Sequence, residues 1–206
     1  MNICLFIDCR SKIGISMYNF LYKNLNDSIK LVIIKNLFYS PWELSFIKTE
    51  FIKYDKKNVL EKLSEKNINL NIISVFHLIP KSLWNYPLNG TINLHYSLLP
   101  KYRGPYPVYW ALYFKDKYIG VSVCKLSEII DGGEIYYQKK YEIGNMNTIK
   151  LLTNYLIPHG ETAILSVIND IKNDNIKKIK SKYENSYFSK KDYLNLIKNS
   201  NLFKKT

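Results

Sequence analysis

Short apolar segments alternate with amphipathic segments through the first half of the chain, and this alternation limits the fold more than any other feature. The apolar segments, each the length of one strand, are 2–7, 29–34, 50–54 and 70–75. Between them, residues 15–24 and 58–65 place apolar side chains at helical spacing. Strands that alternate with helices pair in parallel through right-handed crossovers. We therefore predict an α/β fold with a Rossmann-like, mostly parallel sheet flanked by helices.

The second half of the chain predicts further strands and helices. The expected strands are 90–95, 119–126 and 134–143, and the expected helices are 105–114 and 147–173. Pro158 and Gly160 flank His159 and predict a break in the last helix. We expect residues 1–175 to form one domain, and residues 176–206 to form a short lysine-rich extension that packs on the domain or trails from it.

Composition and short motifs exclude several classes of protein. Cys4, Cys9 and Cys124 are few and lack metal-ligand spacing, so we expect free thiols, a reducing compartment and no metal. No apolar run is long enough to cross a bilayer, and residues 1–7 lack the features of a secretory signal, so a cytoplasmic protein is expected. The first turn carries only Gly14, which argues against a nicotinamide or flavin site of the glycine-rich type.

The chain is strongly basic, with a formal net charge of +13. A charge of this size could indicate a polyanionic partner such as nucleic acid. Lysine supplies most of it, however, and much of the excess falls near the end of the chain, at Lys177, Lys178, Lys180, Lys182, Lys190, Lys191, Lys204 and Lys205. A solvated lysine-rich surface is the interpretation that we favour.

Two polar side chains stand at the end of the predicted strand 90–95. Asn93 and His95 are two residues apart, so an extended backbone points both to the same side, at the strand end where open α/β sheets bind ligands. The amide can donate to a carbonyl oxygen that gains negative charge, and the imidazole can act as acid or base. Asp131 could orient the imidazole or hold a water for proton relay. The three suit attack by an amine on a carbonyl carbon, although polar strand ends without catalytic roles show the same spacing.

Longer motifs around these residues resemble a known family. Residues 97–104 read SLLPKYRG after the Asn93-Leu94-His95 motif, and residues 130–135 read IDGGEI around Asp131. These motifs and their separation resemble the formyltransferases that use 10-formyltetrahydrofolate. That family includes glycinamide ribonucleotide formyltransferase, methionyl-tRNA formyltransferase and the N-formyltransferases of nucleotide-linked amino sugars. The resemblance implies the formyltransferase fold for the domain, with Asn93, His95 and Asp131 as catalytic residues.

The resemblance also implies where the co-substrate 10-formyltetrahydrofolate binds. In the family, the loop after the fourth strand wraps the pterin ring, largely through backbone groups. The candidate folate-binding residues here are Phe76, His77, Leu78, Ile79, Ile130 and Gly132. His77 could equally be a solvated loop histidine.

The acceptor amine is expected on a dTDP- or UDP-linked amino sugar, used for surface polysaccharides such as the O-antigen of lipopolysaccharide. Residues 93–104, with a tryptophan further along the next helix, most resemble enzymes that act on such sugars. The candidate substrate-binding residues are Arg10, Tyr96, Ser97, Lys101, Tyr102 and Arg103. Arg10 could equally be an exposed loop charge.

Three other functions are the alternatives. Glycinamide ribonucleotide formyltransferases carry a glycine- and serine-rich loop where this chain has residues 9–14, which puts that substrate in doubt. Residues 176–206 are shorter than the additional domain of methionyl-tRNA formyltransferases, so a truncated enzyme of that kind, with tRNA as its partner, is disfavoured. A folate- or nucleotide-binding module without catalysis is the third.

An apolar surface near Glu134 or in the tail could also pair two subunits into a homodimer.

Overall fold

Seven strands form one sheet in the computed structural model, which describes residues 1–35, 47–74 and 78–199. The strands are β1 Ile3–Asp8, β2 Ile29–Lys35, β3 Phe51–Lys53, β4 Leu70–Ser74, β5 Thr91–His95, β6 Tyr118–Lys125 and β7 Ile135–Glu142. Their order across the sheet is β3-β2-β1-β4-β5-β6-β7. Strands β1 to β5 pair in parallel, whereas β6 is antiparallel to both β5 and β7. The prediction of a mostly parallel α/β sheet is confirmed.

Helices flank this sheet on both faces. Within the described ranges they are α1 Lys12–Leu25, α2 Lys56–Glu65, α3 Lys81–Trp84, α4 Pro107–Tyr113, α5 Ile149–Lys172 and α6 Lys190–Asn199. The carboxylate of Asp55 caps α2 by accepting from the Lys57 N–H at 3.1 Å, and the hydroxyl of Thr148 caps α5 by accepting from the Leu151 N–H at 3.2 Å. None of the helices in the described part of the chain combines the length and the apolar character needed to span a membrane.

Alternating side chains divide the core into two layers. In β1, Ile3, Leu5 and Ile7 belong to the core layer of α1 and α5, whereas Cys4 and Phe6 belong to the layer of α2 and α3. All five are at most 1% exposed. Both faces of the central parallel strands are therefore covered, which explains why their sequences are almost continuously apolar.

Helix α5 runs unbroken through Pro158, so the predicted break in this helix is wrong. Leu152 and Leu156 precede the proline, Ile164 and Val167 follow it, and all four are buried in the same core layer. Burial of each such side chain contributes about 1.5–3 kcal/mol. Together they outweigh the cost of a proline inside a helix, which is about 3 kcal/mol or more.

The segment after α5 packs against the preceding elements. The N–H of Ile179 donates to the carbonyl of Ile135 at 2.8 Å. The Phe188 ring stacks on Trp110, with centroids 4.1 Å apart. On these contacts we propose that residues 1–175 are one domain and that the lysine-rich extension is packed on it.

A largely buried carboxyl lies between α5 and α1. Glu161 is 8% exposed, and its Oε1 accepts a hydrogen bond from the Ser16 hydroxyl at 2.5 Å. Burial raises the pKa of Glu161, and the Ser16 hydrogen bond only partly offsets that effect. The folded state therefore binds the carboxyl proton of Glu161 more tightly than the unfolded state does. As the pH rises from the pKa of the unfolded state to the higher pKa of the folded state, the free energy of unfolding falls.

Replacing Glu161 with glutamine is expected to stabilise the protein at about pH 7.5 but not at about pH 4, below the ordinary glutamate pKa of about 4.3. Glutamine keeps an oxygen that can accept from Ser16 but carries no charge. Urea unfolding of both proteins across this pH range measures the difference. Glu184→Gln, at an exposed glutamate, is the control. A stabilisation that is equal at both pH values would contradict the assignment to the buried charge.

Candidate active site

Asn93 and His95 lie at the carboxyl end of β5, the strand at which the sheet changes from parallel to antiparallel pairing. Strand β5 pairs with parallel β4 on one side and with antiparallel β6 on the other. His95 is buried, with 6% exposure, and Asn93 is half-buried. Both side chains reach the same carboxylate, that of Asp131, so the alternation of β5 places them on one side as predicted.

Asp131 approaches the two residues from the loop between β6 and β7. Its Oδ1 accepts from Asn93 Nδ2 at 3.0 Å, and its Oδ2 accepts from the Gly104 N–H at 2.8 Å. The Nδ1 atom of His95 lies 3.7 Å from the same Oδ2. The structure thus brings together the three residues that the sequence predicts to be catalytic.

The backbone around Asp131 explains why glycines follow it. Asp131 has a φ of 49°, in the left-handed region that Asp and Asn tolerate better than most residues. A Cβ atom on Gly133 would lie 1.8 Å from the carbonyl oxygen of Lys125, so only glycine fits there. The turn that these glycines allow places the Asp131 carboxylate next to Asn93.

The imidazole of His95 is held in one orientation. Its Nε2 lies 2.8 Å from the carbonyl oxygen of Tyr102. A carbonyl can only accept, so Nε2 carries the hydrogen and, in the neutral ring, Nδ1 carries the lone pair. That lone pair faces the Asp131 side of the site, at a distance beyond hydrogen-bonding range. Nδ1 is therefore placed to accept a proton, and the carboxylate is placed to stabilise the cation that results.

Three of the predicted substrate-binding residues hold the loop that follows β5. The Ser97 hydroxyl donates to the carbonyl of Lys101, while Lys101 Nζ and the Tyr102 hydroxyl contact the same carboxylate oxygen of Asp116, at 2.7 and 2.9 Å. Burial, reinforced by Asp116, raises the pKa of Tyr102 well above its usual range. These contacts fix the loop, and a role of the three side chains in binding a substrate stays a prediction.

The other predicted substrate-binding residues lie in three different settings. Arg103 lies beside the cluster of Asn93, His95 and Asp131, and its Nη1 donates to the carbonyl of Ile130 at 3.3 Å. Arg10 is on the loop after β1, where Nη2 lies 3.3 Å from Asp8 Oδ2 and the side chain is 55% exposed. Tyr96 is 5% exposed inside the core. Only Arg103 of these three is therefore placed against the cluster.

The predicted folate-binding residues divide between two loops. Phe76 and His77 lie outside the described residues. Next to them, Leu78 is 72% exposed, whereas Ile79 is 7% exposed and packs in the α2 and α3 layer. Ile130 and Gly132 flank Asp131 in the β6–β7 loop. Contact of these residues with a folate stays a prediction.

Sequence reasoning missed the backbone groups that complete the cluster. Only the side chain of Tyr102 is predicted from sequence to have a role, whereas in the structure its carbonyl orients His95, and the N–H of Gly104 donates to Asp131. Tyr102 and Gly104 both have positive φ values, 58° and 90°. The Arg-Gly pair of the motif is the sequence signal for this turn, because glycine readily adopts such a conformation.

The fold and the site together define the class: an open α/β sheet with an Asn–His–Asp cluster at a strand end, suited to proton transfer beside a carbonyl. Residues 42–168 match the family model described as formyl transferase. The match covers more than half of the chain, and the chain belongs to the formyl transferase family.

Individual members of this family are similar to the chain in sequence. A methionyl-tRNA formyltransferase of Bacteroides thetaiotaomicron is 33% identical over 120 residues, which are 58% of this chain and 37% of the relative. One of Ehrlichia ruminantium is 32% identical over 132 residues, 64% of this chain and 43% of the relative. The matched region thus spans less than half the length of these relatives.

Solved structures share the fold at lower sequence identity. The N-formyltransferase of Helicobacter canadensis, in complex with folinic acid and dTDP-3-aminofucose, has a TM-score of 0.72 at 23% identity, over 93% of this chain and 72% of that one. Phosphoribosylglycinamide formyltransferase of Anaplasma phagocytophilum has a TM-score of 0.75 at 17% identity, over 92% and 98%. At these identities the similarity establishes the fold.

Proposed function

We propose that this protein transfers the formyl group of 10-formyltetrahydrofolate to the primary amine of a dTDP- or UDP-linked amino sugar. The observation that carries the proposal is the position of Asp131, which binds Asn93 at 3.0 Å and faces His95 at 3.7 Å. This geometry puts an amide donor and a proton acceptor side by side at the end of β5. Transfer of an acyl group to an amine needs both.

Asn93 would stabilise the formyl oxygen. Its amide carries two hydrogens, of which Asp131 Oδ1 accepts one. The other would donate to the formyl oxygen, more strongly as that oxygen gains negative charge. Because Asp131 fixes the amide before a substrate arrives, little reorganisation is needed during the reaction.

His95 would accept the proton that the amine loses. The amine nitrogen forms a bond to the formyl carbon, and the bond from that carbon to the folate nitrogen breaks. Nδ1 of His95 takes the amine proton, while the hydrogen on Nε2 stays bonded to the Tyr102 carbonyl. The folate nitrogen takes this proton from Nδ1 as it leaves, so His95 returns to its neutral form and the products are the formylated amine and tetrahydrofolate. The Asp131 carboxylate stabilises His95 while the ring is positively charged.

The co-substrate would lie between the loop after β4 and the loop of Asp131, against Leu78, Ile79, Ile130 and Gly132. The high exposure of Leu78, at 72%, is compatible with an apolar contact to the pterin ring. The predicted contacts of Phe76 and His77 belong to the same proposal. Two proteins of the same fold have been solved with a formylated folate: a sugar 3N-formyltransferase in the presence of 5-N-formyl-THF, and the Helicobacter canadensis enzyme in complex with folinic acid.

Arg103 would bind an anionic group of the acceptor. Its Nε is buried without a hydrogen-bond partner within the described ranges, which is unusual for a buried donor. That atom is closed to solvent, so a phosphate oxygen of a nucleotide-linked sugar would bind the accessible part of the half-buried guanidinium, through a charge-assisted hydrogen bond. The complex of a neighbour with dTDP-3-aminofucose makes such an acceptor compatible with the fold. Formylated sugars of this kind would serve surface polysaccharides such as the O-antigen.

A second candidate acceptor is methionyl-tRNA. Two observations favour it: the identity of 31–34% to methionyl-tRNA formyltransferases and the net charge of +13. Glycinamide ribonucleotide is a third candidate, on the shared fold alone. A binding module without catalysis would keep the folate site and release no product.

The test is tetrahydrofolate release by the purified protein with 10-formyltetrahydrofolate and one amine at a time. The amines are dTDP- and UDP-linked 3-amino and 4-amino sugars, glycinamide ribonucleotide and methionyl-tRNA, and His95→Gln is the matched inactive control. We expect turnover with one sugar nucleotide. Turnover with methionyl-tRNA alone would replace the sugar by tRNA as acceptor. If calorimetry detects folate binding but no amine is turned over, the protein would be a binding module without catalysis.

A further inference from the structure

A short segment of the tail pairs with the loop that supports the catalytic cluster. This tail segment, residues 186–188, lies parallel to residues 100–104. The Ser186 N–H donates to the Pro100 carbonyl at 3.1 Å, and the Ser186 carbonyl accepts from the Arg103 N–H at 2.9 Å. The Phe188 N–H donates to the Arg103 carbonyl at 3.1 Å. A Cβ atom on Gly104 would lie 2.3 Å from the Phe188 carbonyl oxygen, so the two backbones pack as closely as glycine allows.

One side chain of the tail segment contacts the residue that orients His95. The Ser186 hydroxyl oxygen accepts from the Tyr102 N–H at 2.8 Å. The Tyr102 carbonyl, on the same residue, accepts from Nε2 of His95 at 2.8 Å. Two consecutive hydrogen bonds therefore connect the tail to the imidazole.

The backbone of Tyr102 needs this support. Its φ of 58° lies in the left-handed region, which is unfavourable for a bulky residue and persists only where surrounding contacts enforce it. The Tyr102 ring is held separately, by its hydroxyl on Asp116 and by stacking on Phe114 with centroids 5.9 Å apart. The peptide group before Tyr102 is thus held by the Ser186 hydroxyl, and the peptide group after it by His95 and, through the Arg103 N–H, by the Ser186 carbonyl.

We propose that Ser186 is a positioning residue for the catalytic histidine: through Tyr102 it fixes the ring orientation and keeps Nδ1 as the proton acceptor. The catalytic consequence rests on the proposed function, whereas the orientation of the ring does not. Without the Ser186 hydroxyl oxygen, the Tyr102 N–H loses its partner and the loop can relax. This relaxation moves the Tyr102 carbonyl that binds Nε2 of His95. Small displacements of this kind reduce turnover because the reacting groups lose alignment.

The variant that tests this is Ser186→Ala in the full chain. Ser186→Cys is the second variant, because it keeps the volume and replaces the oxygen by a weak acceptor. Ser186→Thr, which keeps the hydroxyl, is the rescue. Ser181→Ala is the matched control, since the Ser181 hydroxyl accepts from Tyr183 within the tail, at 3.4 Å.

Two measurements separate positioning from stability and from catalysis. The first is the ¹⁵N spectrum of the histidine ring nitrogens without substrate, in which His95 is assigned by its loss in His95→Gln. We expect a fixed Nε2–H tautomer in the parent and in the Thr and Ser181 variants. In the Ala and Cys variants we expect mixed tautomers. The second is steady-state kinetics, in which kcat should fall about 10- to 100-fold in the Ala variant while KM for the folate changes little.

The outcomes decide the proposal. Ring signals that match the parent in both Ser186→Ala and Ser186→Cys would overturn it. So would a lower melting temperature with unchanged ring signals, which would make Ser186 a purely structural residue. A tautomer change in the Ala and Cys variants supports the proposal. If no amine is formylated by any variant, that same change still shows the positioning, and only the proposed function fails.

Discussion

Replacing His95 with glutamine is expected to lower kcat by about two to four orders of magnitude. Glutamine has a similar volume and can still donate an N–H to the carbonyl of Tyr102, which lies 2.8 Å from Nε2 in the native protein. It cannot accept a proton from the amine, because its amide is not basic. The loss therefore isolates proton transfer from the packing of a side chain that is only 6% exposed.

The measurement is single-turnover formyl transfer, with thermal unfolding as a check on the fold. His159→Gln is the matched control, because His159 lies in α5, with its ring stacked on Tyr141 at 4.3 Å. We expect the control to retain parent turnover. If His95→Gln retained it as well, the proton would have to leave the amine by another route, and His95 would be a structural residue.

Replacing Asn93 with alanine is expected to lower turnover by about two to three orders of magnitude, the effect of removing one oxyanion donor. The substitution removes the amide that would donate to the formyl oxygen, and it also leaves Asp131 Oδ1 without the donor that lies 3.0 Å away. Asp131 keeps its second contact, to the Gly104 N–H at 2.8 Å, so we expect the loop to stay folded. The KM for the folate should change less than kcat, because the lost interaction is strongest in the transition state.

Asn154→Ala is the control for this variant. Asn154 is on α5 and accepts from Lys12 Nζ at 2.9 Å on the surface, so its loss removes a comparable amide hydrogen bond outside the cluster. Circular dichroism and initial rates on the three proteins complete the comparison. An Asn93→Ala protein that folds and turns over at the parent rate would remove the oxyanion role of Asn93, and another group would have to bind the formyl oxygen.

The sheet could be predicted from sequence because local patterns determine its strands, whereas the grouping of Asn93, His95 and Asp131 is predicted from the resemblance to the formyltransferases. The alternation in β1 assigns Leu5 to one core layer and Phe6 to the other, and a period of two is readable without any tertiary information. The spacing of Asn93 and His95 follows from the same rule. The glycines after Asp131 indicate a turn, and the structure places that turn next to β5.

The rest depends on contacts between residues far apart in the chain. The unbroken α5 is an example, because Pro158 predicts a break and only packing of the flanking apolar residues on the sheet overrides it. The backbone carbonyl of Tyr102 is another, because any residue type has a carbonyl and composition cannot identify the one that orients His95. The pairing of Ser186 with this loop leaves no motif that a single sequence reveals.

The pairing between the tail segment and the loop after β5 has a consequence for how the protein is made. The Tyr102 N–H and the Ser186 oxygen are 84 positions apart, a distance that a ribosome covers in on the order of 10 s at about 5–20 residues per second. During that time the nascent chain can already form β5, with Asn93 and His95 in place on the sheet. The hydrogen bond from the Tyr102 N–H to Ser186 can form only after residue 186 has left the ribosome. The contact that we propose to position His95 is therefore gained late in translation, after the residues of the sheet have been made.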